Sequence, residues 1–241
     1  MSLEATLAEH ERAWNERPLL RRLYGEWHEE IARELAPGPG ATVELGAGLA
    51  HLKQVVPNVV ATDVEPTRWA EAVVDAHELP YEDAALANLV LVDVFHHLSD
   101  PARFLDEARR TLRPGGRVVM VEPYCSPVST PMYRRFHHER TDTDVDPFAP
   151  QTDLHAAMEG NQALPMLAFF RREDELRRRW PELQVVRRRR FAFVLYPLSG
   201  GYSRRPLVPM RLYGAFHALE TALAPLGPVA AFRCLVVLER R

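Results

Sequence analysis

The pattern of apolar and polar residues first predicts two helices at the start of the chain. Apolar side chains recur at helical intervals between residues 3 and 35, and Pro18 interrupts the pattern. We therefore expect one helix on each side of Pro18, both ending before the Pro-Gly repeat at residues 37–40.

An alternation of short apolar strands and helices follows. Strands that are apolar along nearly their whole length are typical of a parallel sheet covered on both faces. The predicted strands are Thr42–Leu45, Val59–Thr62, Val73–Asp75, Leu89–Val92, Arg117–Val121, Val185–Tyr196 and Phe232–Leu238, and the predicted helices are Pro101–Leu112 and Arg172–Trp180. The pattern indicates a doubly wound, mostly parallel, seven-stranded α/β sheet. Only about ten residues separate Asp63 from the next strand, which is too few for a full crossover helix.

Two stretches break this alternation and are interpreted as insertions. The segment from residue 123 to about 166 has no sustained periodicity, and so long an irregular segment in a compact domain is usually functional. We expect a single domain over residues 1–241. Its predicted parts are N-terminal helices (1–36), a ligand-binding core (41–122), a lid insertion (123–170) and a C-terminal half of the sheet (171–241) with a second insertion (197–228).

Charge does not identify a partner. The 241 residues include 30 basic and 33 acidic side chains, so the chain has no overall field that would attract nucleic acid or an anionic membrane. Arg187–Arg190 lie in a predicted strand and point to alternate faces, so they cannot form one phosphate-binding stripe. We interpret them as a charged edge strand and regard nucleic acid as an improbable partner.

The cysteines and the N-terminus predict a cytoplasmic protein. Cys125 and Cys234 are far apart, with no spacing that indicates a disulfide framework or a structural zinc site. The N-terminus lacks the apolar stretch of a signal peptide, and no run of about 18 apolar residues suggests a membrane span.

The segment Val43–Ala50 is the strongest local motif, since a strand runs there into small residues and a predicted helix start. Gly46 and Gly48 allow a tight turn and a close approach to a ligand, and a helix N-terminus favours negative charge. A dinucleotide-binding motif would require a third glycine where His51 stands. A purely structural turn remains the alternative.

Acidic residues recur where consecutive predicted strands end. Glu44 precedes the glycine turn, Asp63 follows 19 residues later, and Asp75 ends the third strand. Open α/β sheets bind ligands at this edge, where Asp63 could accept both hydroxyls of a ribose. The alternative for Asp63 is a turn residue or helix cap ahead of Pro66.

These motifs together resemble the class I S-adenosylmethionine-dependent methyltransferases, in particular the bacterial methyltransferase type 11 proteins. The segments that carry the resemblance, in the expected order and spacing, are Glu44–Gly48, Thr62–Asp63, Asp75–Pro80, Asp93–Leu98 and Leu112–Pro123.

The resemblance implies a Rossmann-like fold, S-adenosylmethionine as the cofactor and S-adenosylhomocysteine as the product. It implies that Glu44 supports the turn at the methionyl end, that Asp63 holds the ribose and that Asp75 borders the adenine, while the residues around Asp93 line the sulfonium side. The predicted cofactor-binding residues are Glu44, Gly46, Ala47, Gly48, Asp63, Val64, Asp75, Ala76, His77 and Asp93.

Histidines and carboxylates supply the candidate chemistry. His96 and His97 follow the fourth strand, and His137, His138 and Glu139 lie in the lid insertion. A carboxylate beside a histidine can orient a general base. The alternatives are packing roles, a salt-bridged helix, or a divalent metal, although the spacing matches no standard metal site and we predict none. The predicted catalytic residues are His96, His97 and His138, and the predicted substrate contacts are Tyr124, Tyr133, His137, Glu139 and Asn161.

The predicted function is methyl transfer to an oxygen or nitrogen of a small polar metabolite, or of a glycan or lipid-linked intermediate. The alternatives are another adenosylmethionine-using or dinucleotide enzyme on the same fold, and a non-catalytic cofactor-binding protein. An apolar helix between Met210 and Leu223 belongs to the core or to a homodimer contact, with a membrane-surface contact as the alternative.

Overall fold

A computed structural model of the protein describes residues 3–151 and 159–241. Within those ranges seven strands form one sheet in the order β3-β2-β1-β4-β5-β7-β6. They are β1 Ala41–Leu45, β2 Val60–Asp63, β3 Ala72–Val73, β4 Leu86–Val92, β5 Leu112–Pro123, β6 Leu183–Phe191 and β7 Arg233–Arg240. β7 runs antiparallel to β5 and β6, and the other pairs are parallel. The predicted α/β fold with a mostly parallel sheet is confirmed.

The helices are α1 Leu3–Glu16, α2 Pro18–Glu34, α3 Pro101–Thr111, α4 Ser129–Phe136, α5 Leu164–Met166, α6 Glu173–Arg179, α7 Leu195–Ser199, α8 Tyr213–Ala222 and α9 Gly227–Ala230. Pro18 begins α2, where its missing amide hydrogen would have had no partner within the helix. The two predicted N-terminal helices are therefore confirmed. Across the described ranges, no helix is both long and apolar enough to cross a membrane.

Helices cover the sheet on both faces. Leu89 and Leu91 of β4 pack into a cluster that includes Phe104 and Phe169. Val90, between them in sequence, packs on the other face against the N-terminal helices. Successive side chains of a strand point to opposite faces, so a doubly covered strand is apolar at every position.

The prediction that an α-helix begins after the glycine turn is wrong. The chain forms only a short 3-10 helix over His51–Gln54. Ala50 adopts a left-handed conformation with φ of 53° immediately before it. Pro57 lacks the amide hydrogen that a longer α-helix would need there.

The predicted strand Val185–Tyr196 is too long, because β6 ends at Phe191. Ala192 adopts φ of 62°, which an extended strand cannot continue through. The carboxylate of Glu220 then accepts hydrogen bonds from the backbone amides of Phe193, Val194 and Leu195, and this holds the turn into α7.

Two smaller expectations are confirmed. β6 lies at the edge of the sheet, as the run of arginines predicted. The chain between β2 and β3 contains no helix, so that end of the sheet has no crossover helix over it.

Candidate active site

A cleft of about 1460 Å³ opens at the carboxyl ends of β1, β2 and β4. Helix α1 and the insertion after β6 form further parts of its wall. All ten residues predicted to bind the cofactor line this cleft. The structure thus brings them together, and their individual contacts with a cofactor stay predictions.

The glycine turn has the backbone conformation that its sequence predicts. Gly46 has φ of 61°, and a Cβ atom there would lie 2.6 Å from Cγ2 of Val94. Asp63 supports the turn from β2, since its carboxylate accepts hydrogen bonds from the amides of Gly48 at 3.2 Å and Val64 at 2.8 Å. These bonds fix the orientation of the Asp63 carboxylate at the wall of the cleft.

Glu44 is buried beside this turn. Its side-chain oxygen Oε2 has no hydrogen-bond partner within the protein. Burial, with Asp63 nearby, raises the pKa of Glu44 from 4.5 to about 8. A buried oxygen without a partner costs free energy, so a ligand that donates a hydrogen bond here would be favoured.

Asp75 and His77 form a relay between the end of β3 and the start of α3. The carboxylate of Asp75 accepts from the backbone amide of His77 at 2.8 Å and lies 2.7 Å from its Nδ1. Nε2 of His77 accepts from the backbone amide of Asp100 at 3.1 Å. Because Nε2 accepts, Nδ1 is the ring nitrogen that donates to Asp75, and this bond positions the Asp75 carboxylate.

His96, His97, Glu122 and Glu139 form a buried group that we call the histidine–glutamate cluster. Nδ1 of His96 lies 2.7 Å from Glu122, and its Nε2 lies 3.2 Å from Glu139. Burial alone would lower the pKa of His96, but the carboxylates of Glu139 and Glu122 outweigh it and raise that pKa to about 10. Burial also opposes ionisation of Glu139, yet His96 keeps the pKa of Glu139 well below its ordinary value.

His97 has a different environment from its neighbour. Its Nδ1 donates to the backbone carbonyl of Glu159 at 2.9 Å. Nε2 therefore carries a lone pair, and it lies 3.9 Å from Glu139. Burial and the charge of His96 lower the pKa of His97, so this ring is neutral at pH 7.

The lid insertion delivers Glu139 to this cluster. α4 and the loop after it place His137, His138 and Glu139 at the wall of the cleft, and Gln162 donates a hydrogen bond to Glu139. His138 is 66% exposed, with Nε2 3.5 Å from Glu139. The predicted catalytic histidines and three of the predicted substrate contacts, Tyr133, His137 and Glu139, therefore share one cleft.

Asp93 contacts residues that sequence reasoning missed. It forms an ion pair with Arg233 and accepts a hydrogen bond from the hydroxyl of Tyr24 at 3.1 Å. The buried guanidinium of Arg233 lies 5.1 Å from the ring centres of both Trp27 and Tyr196. The one signal in the sequence is an arginine directly before the apolar run of β7.

Comparison with known families gives a match to the central part of the chain. Residues 34–120 match the family described as a methyltransferase domain. That range contains the glycine turn, the acidic strand ends and both histidines that follow β4.

Residues 34–120 therefore carry a methyltransferase domain, in agreement with the predicted resemblance to class I S-adenosylmethionine-dependent methyltransferases.

Solved methyltransferases share the fold around this domain. A candidate sarcosine dimethylglycine methyltransferase from Galdieria sulphuraria is 14% identical, with a TM-score of 0.56 over 98% of this chain and 98% of that chain. A geranyl diphosphate C-methyltransferase from Streptomyces coelicolor A3(2) is 14% identical, with a TM-score of 0.54 over 96% of this chain and 84% of that one. At this identity the similarity shows the fold alone.

A shorter match has higher identity. An uncharacterized 37.1 kDa protein in transposon TN4556 of Streptomyces fradiae is 53% identical over 49 residues. The match covers 20% of this chain and only 14% of that protein, so it indicates a shared segment.

Two predicted substrate contacts of the methyltransferase lie outside the cleft lining. The hydroxyl of Tyr124 accepts a hydrogen bond from Arg190 at 2.9 Å, on the β6 side of the sheet. Asn161 is fully buried and uses its amide to hold the backbone of Asp142, with both bonds at 3.0 Å. The Tyr124 bond joins the start of the lid insertion to β6, and the Asn161 bonds hold two parts of the lid insertion together, so neither side chain lines the cleft.

Proposed function

We propose that the protein transfers the methyl group of S-adenosylmethionine to an oxygen or nitrogen atom of a small polar acceptor, either a metabolite or a glycan or lipid-linked intermediate. The observation that carries the proposal is that one cleft is lined by the glycine turn, by Asp63 and by three members of the histidine–glutamate cluster, His96, His97 and Glu139. A nucleoside-bearing methyl donor and an acceptor would therefore meet at the end of β4.

The cofactor side of the cleft has groups that suit this donor. The carboxylate of Asp63, oriented by two backbone amides, has lone pairs left for ribose hydroxyls. Glu44 has a buried oxygen without a partner beside the turn, which supports a ligand carrying a donor group there. Asp75 and Ala76 lie farther along the same wall, where the resemblance places the adenine.

Bound S-adenosylmethionine supplies a methyl carbon whose bond to sulfur breaks as its bond to the acceptor forms, leaving S-adenosylhomocysteine. For such an in-line displacement the protein chiefly orients the acceptor and excludes water. His97 suits the acceptor side, because its Nδ1 donates to the carbonyl of Glu159 and its Nε2 keeps a lone pair that would take the proton released by the acceptor. His96 suits it less, because both of its ring nitrogens contact carboxylates.

The acceptor side of the cleft favours a small molecule. Its wall combines the aromatic rings of Tyr196, Tyr202 and Phe136 with the polar groups of the lid. Mixed walls of this kind are typical of small-molecule sites, where apolar rings supply affinity and a few polar groups fix the orientation.

The experiment that tests the proposal is calorimetric titration with S-adenosylmethionine, S-adenosylhomocysteine and NAD. We expect both adenosyl ligands to bind with micromolar dissociation constants. Asp63→Ala is expected to raise both dissociation constants at least about ten-fold, since a hydrogen bond to a charged group contributes about 1.5–3 kcal/mol. The matched control is Asp174→Asn, an exposed carboxylate on α6, which should bind as the wild type does. Binding of NAD alone, or of none of the three, would contradict the proposal.

A further inference from the structure

We propose that His96, His97 and Glu139 form a binding site for a divalent first-row transition-metal ion. The ligands would be Nε2 of each histidine and the carboxylate of Glu139. The inference rests on the proposed function for its role, since the ion would then bind the acceptor beside the methyl donor.

The ligand atoms converge on one point. One ligand atom from each of the three residues lies within 4.8 Å of the others. Nε2 of His96 is 3.2 Å and Nε2 of His97 is 3.9 Å from the carboxylate of Glu139. A cation about 2.0–2.2 Å from each ligand would fit between them after small side-chain movements.

Both histidines are oriented as metal ligands usually are. Nδ1 of His96 contacts the carboxylate of Glu122 at 2.7 Å, and Glu122 in turn accepts from the backbone amides of Val94 and Phe95 at 2.8 and 2.7 Å. Nδ1 of His97 donates to the Glu159 carbonyl at 2.9 Å. When an acceptor holds Nδ1 of a histidine, the tautomer and the ring plane are fixed and Nε2 is left for the metal.

Backbone packing keeps the two rings in this orientation. A Cβ atom at Gly160 would lie 2.9 Å from Nδ1 of His97 and 3.0 Å from Cδ2 of His96. The chain therefore passes against both rings at a position where a side chain would collide with them. Such a preformed pair of imidazoles loses little conformational entropy when it binds an ion.

The donor set indicates the class of ion. Imidazole nitrogens with one carboxylate suit Zn²⁺, Mn²⁺, Fe²⁺ or Co²⁺, whereas Mg²⁺ and Ca²⁺ prefer oxygen ligands throughout. His138 lies 3.5 Å from Glu139 and is exposed, so it is a fourth side chain near the ion.

The remaining coordination positions would face the cleft. An acceptor hydroxyl bound there would become more acidic, because the ion stabilises the oxyanion. His97 would then act on the acceptor through the ion. The ion would also take the place of the hydrogen-bonded proton between Nε2 of His96 and the carboxylate of Glu139.

The test is titration of chelator-treated, gel-filtered protein with Co²⁺, followed by calorimetry and by the visible absorption of the bound ion. We expect one Co²⁺ per chain, displaced by Zn²⁺ but not by millimolar Mg²⁺. His97→Gln and Glu139→Gln should each weaken the binding of Co²⁺ at least about ten-fold, since even changes to residues that only contact the metal ligands lower metal affinity about 10- to 100-fold. The control is His217→Gln, an exposed histidine on α8, which should bind Co²⁺ as the wild type does.

Absence of one-to-one binding of Co²⁺ to the wild type would overturn the inference, and the wild-type protein alone is sufficient for this measurement. Equal binding by the wild type and both variants would overturn it as well, because the ion would then be held elsewhere. S-adenosylhomocysteine is titrated into the same wild-type samples. If it binds while Co²⁺ does not, the metal site is wrong and the proposed function stands; if Co²⁺ binds and S-adenosylhomocysteine does not, the metal site stands and the proposed function fails.

Discussion

The buried carboxyl of Glu44, which lines the cleft, makes the free energy of unfolding depend on pH. It is 3% exposed at the end of β1, and burial raises its pKa from 4.5 to about 8. Between these two values the folded protein holds a proton that the unfolded chain has released. Glu44 therefore stabilises the fold at low pH, and that contribution is lost as the pH rises from about 4.5 through about 8.

The variant Glu44→Gln should remove this part of the pH dependence. We expect the free energy of unfolding of the wild type to fall relative to the variant by up to about 1.4 kcal/mol per pH unit between pH 5 and pH 8. Urea unfolding at pH 5, 6.5 and 8, without cofactor, measures the free energy of unfolding of both proteins. Glu4→Gln, an exposed change on α1, serves as the control. Parallel stability curves for the wild type and Glu44→Gln would show that the carboxyl is ionised throughout.

At the scale of elements, α1 lies beside the glycine turn and forms part of the wall of the cleft. Cδ2 of Leu7 lies 3.6 Å from the position that a Cβ atom would occupy on Gly48. The ring of Trp14 stacks on His51 with 3.7 Å between ring centres. Arg17, just after α1, donates to the backbone carbonyl of Gly201 at 2.7 Å, so this corner of the chain also joins the second insertion.

A buried and an exposed position of α1 allow a matched test of this contact. Leu7→Asp places a carboxylate beside Gly48, whose amide donates to the carboxylate of Asp63, and we expect it to weaken the binding of S-adenosylhomocysteine at least about ten-fold. Like charges in a partly buried site repel, and the helix would have to move away. Ala8→Asp changes an exposed position one residue on and should leave the affinity unchanged. Calorimetry measures both, and hydrogen exchange should rise in α1 of Leu7→Asp alone. Equal affinities in the two variants would mean that α1 does not cover the ligand.

For the molecule as a whole, the arginines of β6 are held by other parts of the protein. Arg187 pairs with Glu30 and Glu34 of α2, and Arg189 pairs with Glu30. On the other face Arg188 pairs with Glu173 and Arg190 bonds to a tyrosine hydroxyl. Their charge stabilises contacts within the protein and is not gathered into one basic surface.

We therefore expect weak binding of nucleic acid. In fluorescence anisotropy at 150 mM salt, a labelled 20-nucleotide RNA should bind no more tightly than about 10⁻⁴ M, the weak end of non-specific binding. The double variant Glu30→Gln, Glu34→Gln releases Arg187 and Arg189 and should bind the RNA more tightly than the wild type. A wild-type dissociation constant near 1 μM would instead indicate a nucleic-acid partner.

Local sequence determined the sheet and the cofactor side of the cleft. Strands such as β4 are apolar at nearly every position, with Asn88 as the exception, because both faces are buried, and this is visible without a structure. Glu44 and Asp63 lie at the carboxyl ends of β1 and β2, Gly46 follows β1, and parallel strands that end at one edge bring the three residues together. The conformations of Ala50 and Ala192 could not be predicted, because alanine has no local preference for a positive φ and tertiary contacts impose it.

Only the tertiary structure decided the acceptor side. Glu139 meets His96 across more than forty residues of sequence, and Arg233 meets Asp93 from the other end of the chain. No periodicity connects such residues, since each is placed by a loop or strand whose path depends on the packing of the whole molecule. Motif spacing along the chain therefore determined the residues around the glycine turn, whereas the folding of the lid insertion and of β7 determined which side chains meet His96 and Asp93.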